Sequence, residues 1–177
     1  MSFKIRGDFG ALDNMADGLE RFDKQLPQMM MAIGNAAVGL TRESFRNQAS
    51  PWGAKWPKKQ CKDGRQTLIR TGTMKASYHV KAHSATSVTI GSGVFYSAVH
   101  QNGAVIKAKN PWTRVTKTGK RVDMPPMLRW KCGKVWRYAK QVTIPARPMV
   151  PERDALPPDW SDEFGEIASA ALRRAIG

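Results

Sequence analysis

Acidic residues are scarce in this chain. Against 29 Lys and Arg stand only 14 Asp and Glu, a formal charge of +15 over 177 residues. A field of that sign and size calls for an anionic neighbour, either nucleic acid or the acidic face of a protein, and net charge alone does not choose between them. Cysteine is nearly missing too. Cys61 and Cys132 form no paired CxxC spacing, which removes the support for structural zinc. Free thiols are expected in a reducing compartment, where a bond between the two is geometrically possible but not anticipated. No apolar run approaches the roughly 20 residues that cross a bilayer, and the mean hydropathy is −0.47. Met1-Ser2-Phe3-Lys4-Ile5-Arg6 carries charge where a secretion signal needs an apolar stretch, so the protein is expected to stay in the cytoplasm that makes it.

Catalytic constellations are missing as well. Asp8, Asp13, Asp17, Asp63 and Asp123 have no repeated acidic partners of the kind a two-metal nuclease needs, and each reads as a solvated surface carboxylate. His79 and His83 are four apart, a ligand spacing on a helix, but their surroundings alternate like a strand leading into a turn, where they diverge. His100 brings no serine or cysteine nucleophile with a motif around it. Gly91-Ser92-Gly93 lacks the lysine and helix of a phosphate loop and reads as a turn. The expectation is a protein without enzymatic activity and without a cofactor or metal.

What is present is one core's worth of patterned chain, 41% hydrophobic and 24% charged, hence a single domain over 1–177. Alternation predicts a short strand at Phe3–Arg6, followed by an amphipathic helix over Ala11–Phe22 with Asp8 as a candidate cap. Pro27 is placed in the first turn of a second helix running to about Asn47. Its small-residue stripe, Gly34, Ala36, Ala37 and Gly39, expects a sheet packed closely over it, and Met29-Met30-Met31 reads as adaptable core filler. Gln48–Gln66, with Pro51, Gly53, Pro57 and Gly64, is an irregular loop. A hydroxyl-capped turn at Thr71–Ser77, a hairpin of Tyr78–Ala82 with Ser87–Gly91, a short helix from Phe95 to Asn102 ended by Gly103, and a strand at Gln141–Ile144 follow. Pro145 and Pro148 then mark a sheet edge. Last comes a helix with Trp160, Phe164, Ile167, Ala171 and Leu172 on its apolar face, capped by Ser161-Asp162-Glu163. The fold class is α+β: a small antiparallel sheet packed against long N-terminal and C-terminal helices.

One segment departs from the rest. Residues 107–140 hold 11 Lys or Arg, one acid (Asp123), and Trp112, Trp130 and Trp136, and read as an extension inserted into the fold. Cations interleaved with aromatics can neutralise phosphates and stack on bases. They equally suit tryptophans that anchor the extension on its own protein or a neighbouring subunit. Docking on acidic protein surfaces is preferred, with DNA second. The candidate anchors are Trp112, Trp130 and Trp136, and the candidate charged contacts Arg129, Lys131, Lys134 and Arg137.

The order of motifs carries a resemblance. Phe45-Arg46-Asn47-Gln48 closes a long helix, Pro51-Trp52-Gly53 and Trp56 sit in the loop, and Leu68–Ser77 holds a Thr-Gly, aliphatic, basic, small, Ser turn. Val88-Thr89-Ile90-Gly91, Tyr96–Gly103 and Ile144-Pro145-Ala146-Arg147-Pro148-Met149 complete the series. Across about 40–150 this resembles the phage virion morphogenesis, or tail-completion, proteins of Mu-like phages, with the extension outside the likeness. The resemblance implies a structural virion protein that forms a ring, hexameric by analogy, at the head-tail junction, assembled in the host cytoplasm. Its partners would be copies of itself and neighbouring neck, connector, tail-terminator or tail-tube proteins, with non-specific contact to packaged DNA possible. No catalytic residue comes with it. Tyr96 offers an apolar body with a polar tip, and Arg147, between two prolines, is a candidate ion-pair member that fixes the fold or a subunit contact.

Overall fold

The structure, a computed structural model, describes residues 10–59, 61, 64–151 and 155–176. The strand expected at Phe3–Arg6 and the Asp8 cap lie outside them, and the chain is mixed helix and strand, as α+β requires. Helix α1 spans Gly10–Asn47 and α2 Thr73–Ala76. Strands β1 (Tyr78–His83) and β2 (Val88–Ser92) follow, then α3 (Tyr96–Asn102). Six short strands come next: β3 Ala104–Lys107, β4 Trp112–Val115, β5 Arg121–Met124, β6 Leu128–Cys132, β7 Val135–Ala139 and β8 Gln141–Ile144. Helix α4, Pro158–Ile176, is last. The strands pair two by two, as β1-β2, β3-β8, β4-β5 and β6-β7.

The two N-terminal helices expected are in fact one, with Pro27 inside it. Asp23-Lys24-Gln25-Leu26 contains no residue that ends a helix. Pro27 removes one backbone hydrogen bond, a cost of about 3 kcal/mol, while Gln25, Leu26, Met29 and Met30 on either side are half-buried. Packing of the flanking turns therefore outweighs the local penalty.

The chain divides into two compact units, 1–40 with 78–91 and 152–177, and 41–77 with 92–151. In the first unit the small-residue stripe is explained at Gly34, where an added Cβ would meet Val88 Cγ2 at 2.6 Å and Val80 Cγ2 at 2.8 Å. The β1-β2 hairpin lies directly on that face. Gly39 is different: nothing lies within 4 Å of it. Near the other end, a Cβ on Gly18 would stand 3.2 Å from Ile176 Cγ2, and Arg21 Nε donates to the Ala175 carbonyl at 3.0 Å. Tyr78 is buried on β1, and burial pushes its hydroxyl up to about 12.

Helix α4 starts earlier than expected. Pro158 takes the first helical position, suited to a residue without an N–H, and the buried Pro157 carbonyl accepts from Trp160 N and Ser161 N. Ser161-Asp162-Glu163 therefore lie inside the helix rather than capping it. The buried face is Trp160, Ala171 and Ala175, whereas Leu172 is 39% exposed. Leu172 had been assigned to that face because it is apolar and adjoins Ala171; one residue is 100° of turn, and that moves it outward.

The second unit is built around Phe45 and Met149, both 0% exposed, with Thr41, Met74 and Trp56. Phe45 and Trp56 meet edge to face at 5.5 Å between ring centroids. The loop after α1 is irregular, as expected, apart from one Ala49↔Lys55 bridge. Gln48 organises it by donating to the Phe45 carbonyl at 2.7 Å and to that of Thr67 at 3.1 Å, and by accepting from Thr67 N at 2.8 Å. At the turn Thr73–Ala76 the N-cap residue is Gly72, left-handed and without a side chain, while the hydroxyl expected there comes from Thr71, which accepts from Thr73 N at 3.4 Å and shares a hydrogen bond with the Thr73 hydroxyl at 2.8 Å. Gly91 and Ser92 extend β2, leaving only Gly93 of the expected turn in a bend. Helix α3 ends at Gly103, as expected. At φ 74 a Cβ there would also stand 2.9 Å from Ala146 N, so glycine is required twice over.

Candidate interaction surface on the basic arm

Residues 104–144 form an arm. Its base is the β3-β8 ladder, which pairs Ala104 with Ile144 through Lys107 with Gln141. Two further hairpins are carried between those strands, β4-β5 and β6-β7. The sequence marked 107–140 as an insertion but not as strands, although Cys132-Gly133-Lys134-Val135 joins β6 to β7 through a two-residue link with Gly133 at φ 62. A glycine-containing link of that length between alternating runs is a hairpin signal.

Register sorts the candidate residues. In β6-β7, Arg129 lies opposite Tyr138, Trp130 opposite Arg137 and Lys131 opposite Trp136. Because side chains alternate along a strand, Arg129, Lys131, Trp136 and Tyr138 share one face while Leu128, Trp130 and Cys132 share the other. The first face is exposed throughout, with Trp136 at 47% and Tyr138 at 45%. The Arg129 guanidinium carbon sits 4.0 Å from the centre of the Trp136 ring, a cation–π contact that fixes both side chains in the open. On the second face Trp130 is half-buried and lines a recess of about 480 Å3 with Cys61, Arg137 and Val142. Lys134 is exposed at the hairpin tip. Trp112 is placed on β4 opposite Met124, and its side chain lies outside what the structure describes.

Cys61 and Cys132 are joined, with Cα atoms 5.3 Å apart. This overturns the expectation of two free thiols. The pair is 71 residues apart in sequence, and compartment alone argued for reduction. The fold brings the end of β6 back to the loop after α1, and so places the sulfurs side by side.

The remaining candidates sit beside the core. Arg147 is buried, and its Nε donates to the Pro57 carbonyl at 3.0 Å, a carbonyl standing where a carboxylate had been foreseen. Burial lowers its basicity. Its backbone N–H donates to the His100 carbonyl at 2.7 Å. Among the described residues His100 Nδ1 is buried without a hydrogen-bond partner, and the ring's pKa falls below the ordinary value through burial and then through the nearby Arg147 charge. Tyr96 is half-buried, edge to face with both Phe95 and His100. Phe95, at 88%, was not among the candidate contacts, nor was Tyr138. His79 and His83 are exposed along β1. Among the described residues no group of three His, Cys, Asp or Glu is arranged to hold a metal, and no helix is long and apolar enough to cross a membrane.

The motif blocks converge away from the arm. Trp56 Nε1 donates to the Pro148 carbonyl at 2.9 Å, and Gln101 donates to the Val150 carbonyl at 2.9 Å and accepts from Met149 N at 2.8 Å. Phe45, Gln48, Trp56, Gln101, Arg147 and Met149 thus form one hydrogen-bonded core from four separate blocks. Residues 8–155 match the phage virion morphogenesis family. The chain belongs to that family. Comparison with curated proteins and with solved structures gave no match. Family membership makes this a phage virion structural or assembly protein. The matched range takes in the arm and stops before α4.

Proposed function

We propose that the protein is a non-enzymatic tail-completion or neck subunit, which assembles as a ring, hexameric by family analogy, and joins the tail to the head-proximal connector. The observation that carries the reading is the division of labour within the second unit. Phe45, Gln48, Trp56, Gln101, Arg147 and Met149 from the motif blocks are engaged in one hydrogen-bonded core, while the arm presents exposed cations and aromatic rings. Such a surface recognises a neighbour's shape and charge. Its candidate contacts are Arg129, Lys131, Lys134 and Trp136 on the exposed side, with Trp112, Trp130, Arg137 and Tyr96 secondary, while the buried Arg147 serves the fold.

Electron microscopy of intact phage particles and of particles lacking the protein tests this. The expected result is tails that form but fail to attach, or attach unstably, and extra density at the junction only when the protein is present. Complete, stable particles in its absence would reject the reading. A second reading, sequence-independent DNA binding, is favoured by the Arg129–Trp136 stack, because cation and ring together suit phosphate and base. It predicts tight binding of random duplex by the purified protein, falling steeply with salt. A junction subunit binds such DNA weakly when alone.

A further inference from the structure

Charge is segregated along this chain. Helix α1 up to Leu40 together with α4 carries eight of the 14 acids and four cations, while residues 107–140 carry 11 cations and one acid. The acidic helices also enclose a groove. It is open, about 370 Å3, lined by Met29 and Ile167 together with the polar Gln25 and Gln28 and edged by Glu163 and Glu166, with Arg174 towards the C-terminal end of α4. At roughly 30 Å3 per water it holds about a dozen, which an apolar side chain would release on entering.

We propose that this groove is the docking site for the β6-β7 hairpin of a second copy of the chain. The proposal rests on the ring reading above and deepens it, by naming which surface of one subunit meets which surface of the next. Glu163 and Glu166 are three apart on a helix, so they project on one side roughly 5–6 Å apart. Arg129 and Lys131 are two apart on a strand, on one face, roughly 7 Å apart. The two pairs match in spacing and oppose in sign. Trp136, already held beside Arg129, is the large ring that suits Met29 and Ile167, and its indole N–H suits the glutamines beside them. Both surfaces are exposed. The hairpin and the groove are different patches of the same chain, which permits a head-to-tail contact, the kind that closes into a ring when the rotation between copies allows. Arg174 opposes the hairpin's cations, and it favours an orientation that keeps Arg129 and Lys131 near the two carboxylates.

Sedimentation velocity on the full chain over a range of concentrations and salt tests the contact. The wild type should self-associate, more weakly as salt rises. Glu163→Lys with Glu166→Lys should weaken association by roughly 10- to 100-fold, and Arg129→Glu with Lys131→Glu should do the same. Combining all four substitutions should restore it, an outcome that misfolding of either parent cannot produce; circular dichroism checks that each parent is folded. Association untouched by either reversal overturns the docking while leaving the ring in place. Association that appears only with added DNA also overturns it, as does a wild type that stays monomeric at every concentration reached. The particle experiment above decides the junction role independently of all these outcomes.

Discussion

Two tryptophans on the same unit do opposite things. Trp56 is 7% exposed, edge to face with Phe45 and hydrogen-bonded through its indole nitrogen. Trp136 is 47% exposed and has an arginine over its ring. The first satisfies every requirement of a buried ring, apolar surroundings and a partner for its N–H. The second leaves half its surface in water, in a hairpin whose polar neighbours keep it soluble. The core is thus stabilised by what it hides, and the arm is held by strand pairing and one covalent link, so that its rings remain available to a partner.

The widest gap between the two regions should appear in stability. Phe45→Ala removes a fully buried ring and is expected to cost about 3–5 kcal/mol, enough to unfold a marginal domain. Trp136→Ala should stay within about 1 kcal/mol. Urea unfolding of both variants checks the pair. Equal losses would mean that the arm is part of the core after all.

Reducing the Cys61–Cys132 link separates the regions by a smaller amount. Closing a loop of this span is worth about 4 kcal/mol in the chain-entropy account, an upper bound for the loss. Cys61→Ser or added reductant should therefore lower stability by about 2–4 kcal/mol. It should also speed tryptic cleavage within 107–140 before cleavage elsewhere. Two titratable thiols in the untreated protein, or identical cleavage patterns with and without reductant, would refute this.

Much of the core was legible in the sequence because its residues announce themselves locally. Gly72 and Gly103 end or begin elements, alternation marks β1, β2 and β8, and the spacing of Trp160 and Ala171 marks α4. The errors were of three kinds. Pro27 looked like a helix start because a proline's local effect is legible while the packing that overrides it is not. The hairpin strands within 107–140 were missed because tryptophan and arginine at alternate positions read as composition before they read as period. The Cys61–Cys132 bond was discounted because a reducing compartment was assumed, and only the folded chain shows residues 71 apart in sequence side by side. For the candidate surface, the sequence offered the cations and rings but not their sorting. Strand register put Arg129 and Lys131 on the open face with Trp136, turned Trp130 to the other face, and added Tyr138.

The smallest expected effect separates core from arm by pH. His100 adjoins the core through its carbonyl bond to Arg147, and burial together with the Arg147 charge holds its pKa below the ordinary 6.5. Folding therefore favours the neutral ring. Between 6.5 and the lowered folded value the unfolded chain binds more protons, so stability is present above that window and lost as pH falls through it. His100 is only half-buried, and solvent screening keeps this the smallest of the three effects. Urea midpoints measured at about pH 7.5 and about pH 5.5, in wild type and in His100→Gln, isolate the contribution. The wild type should lose more stability than the variant on acidification, with the arm's tryptic cleavage unchanged. If the variant loses as much, the acid sensitivity lies outside His100, and the coupling between that histidine and the Arg147 core has no thermodynamic weight.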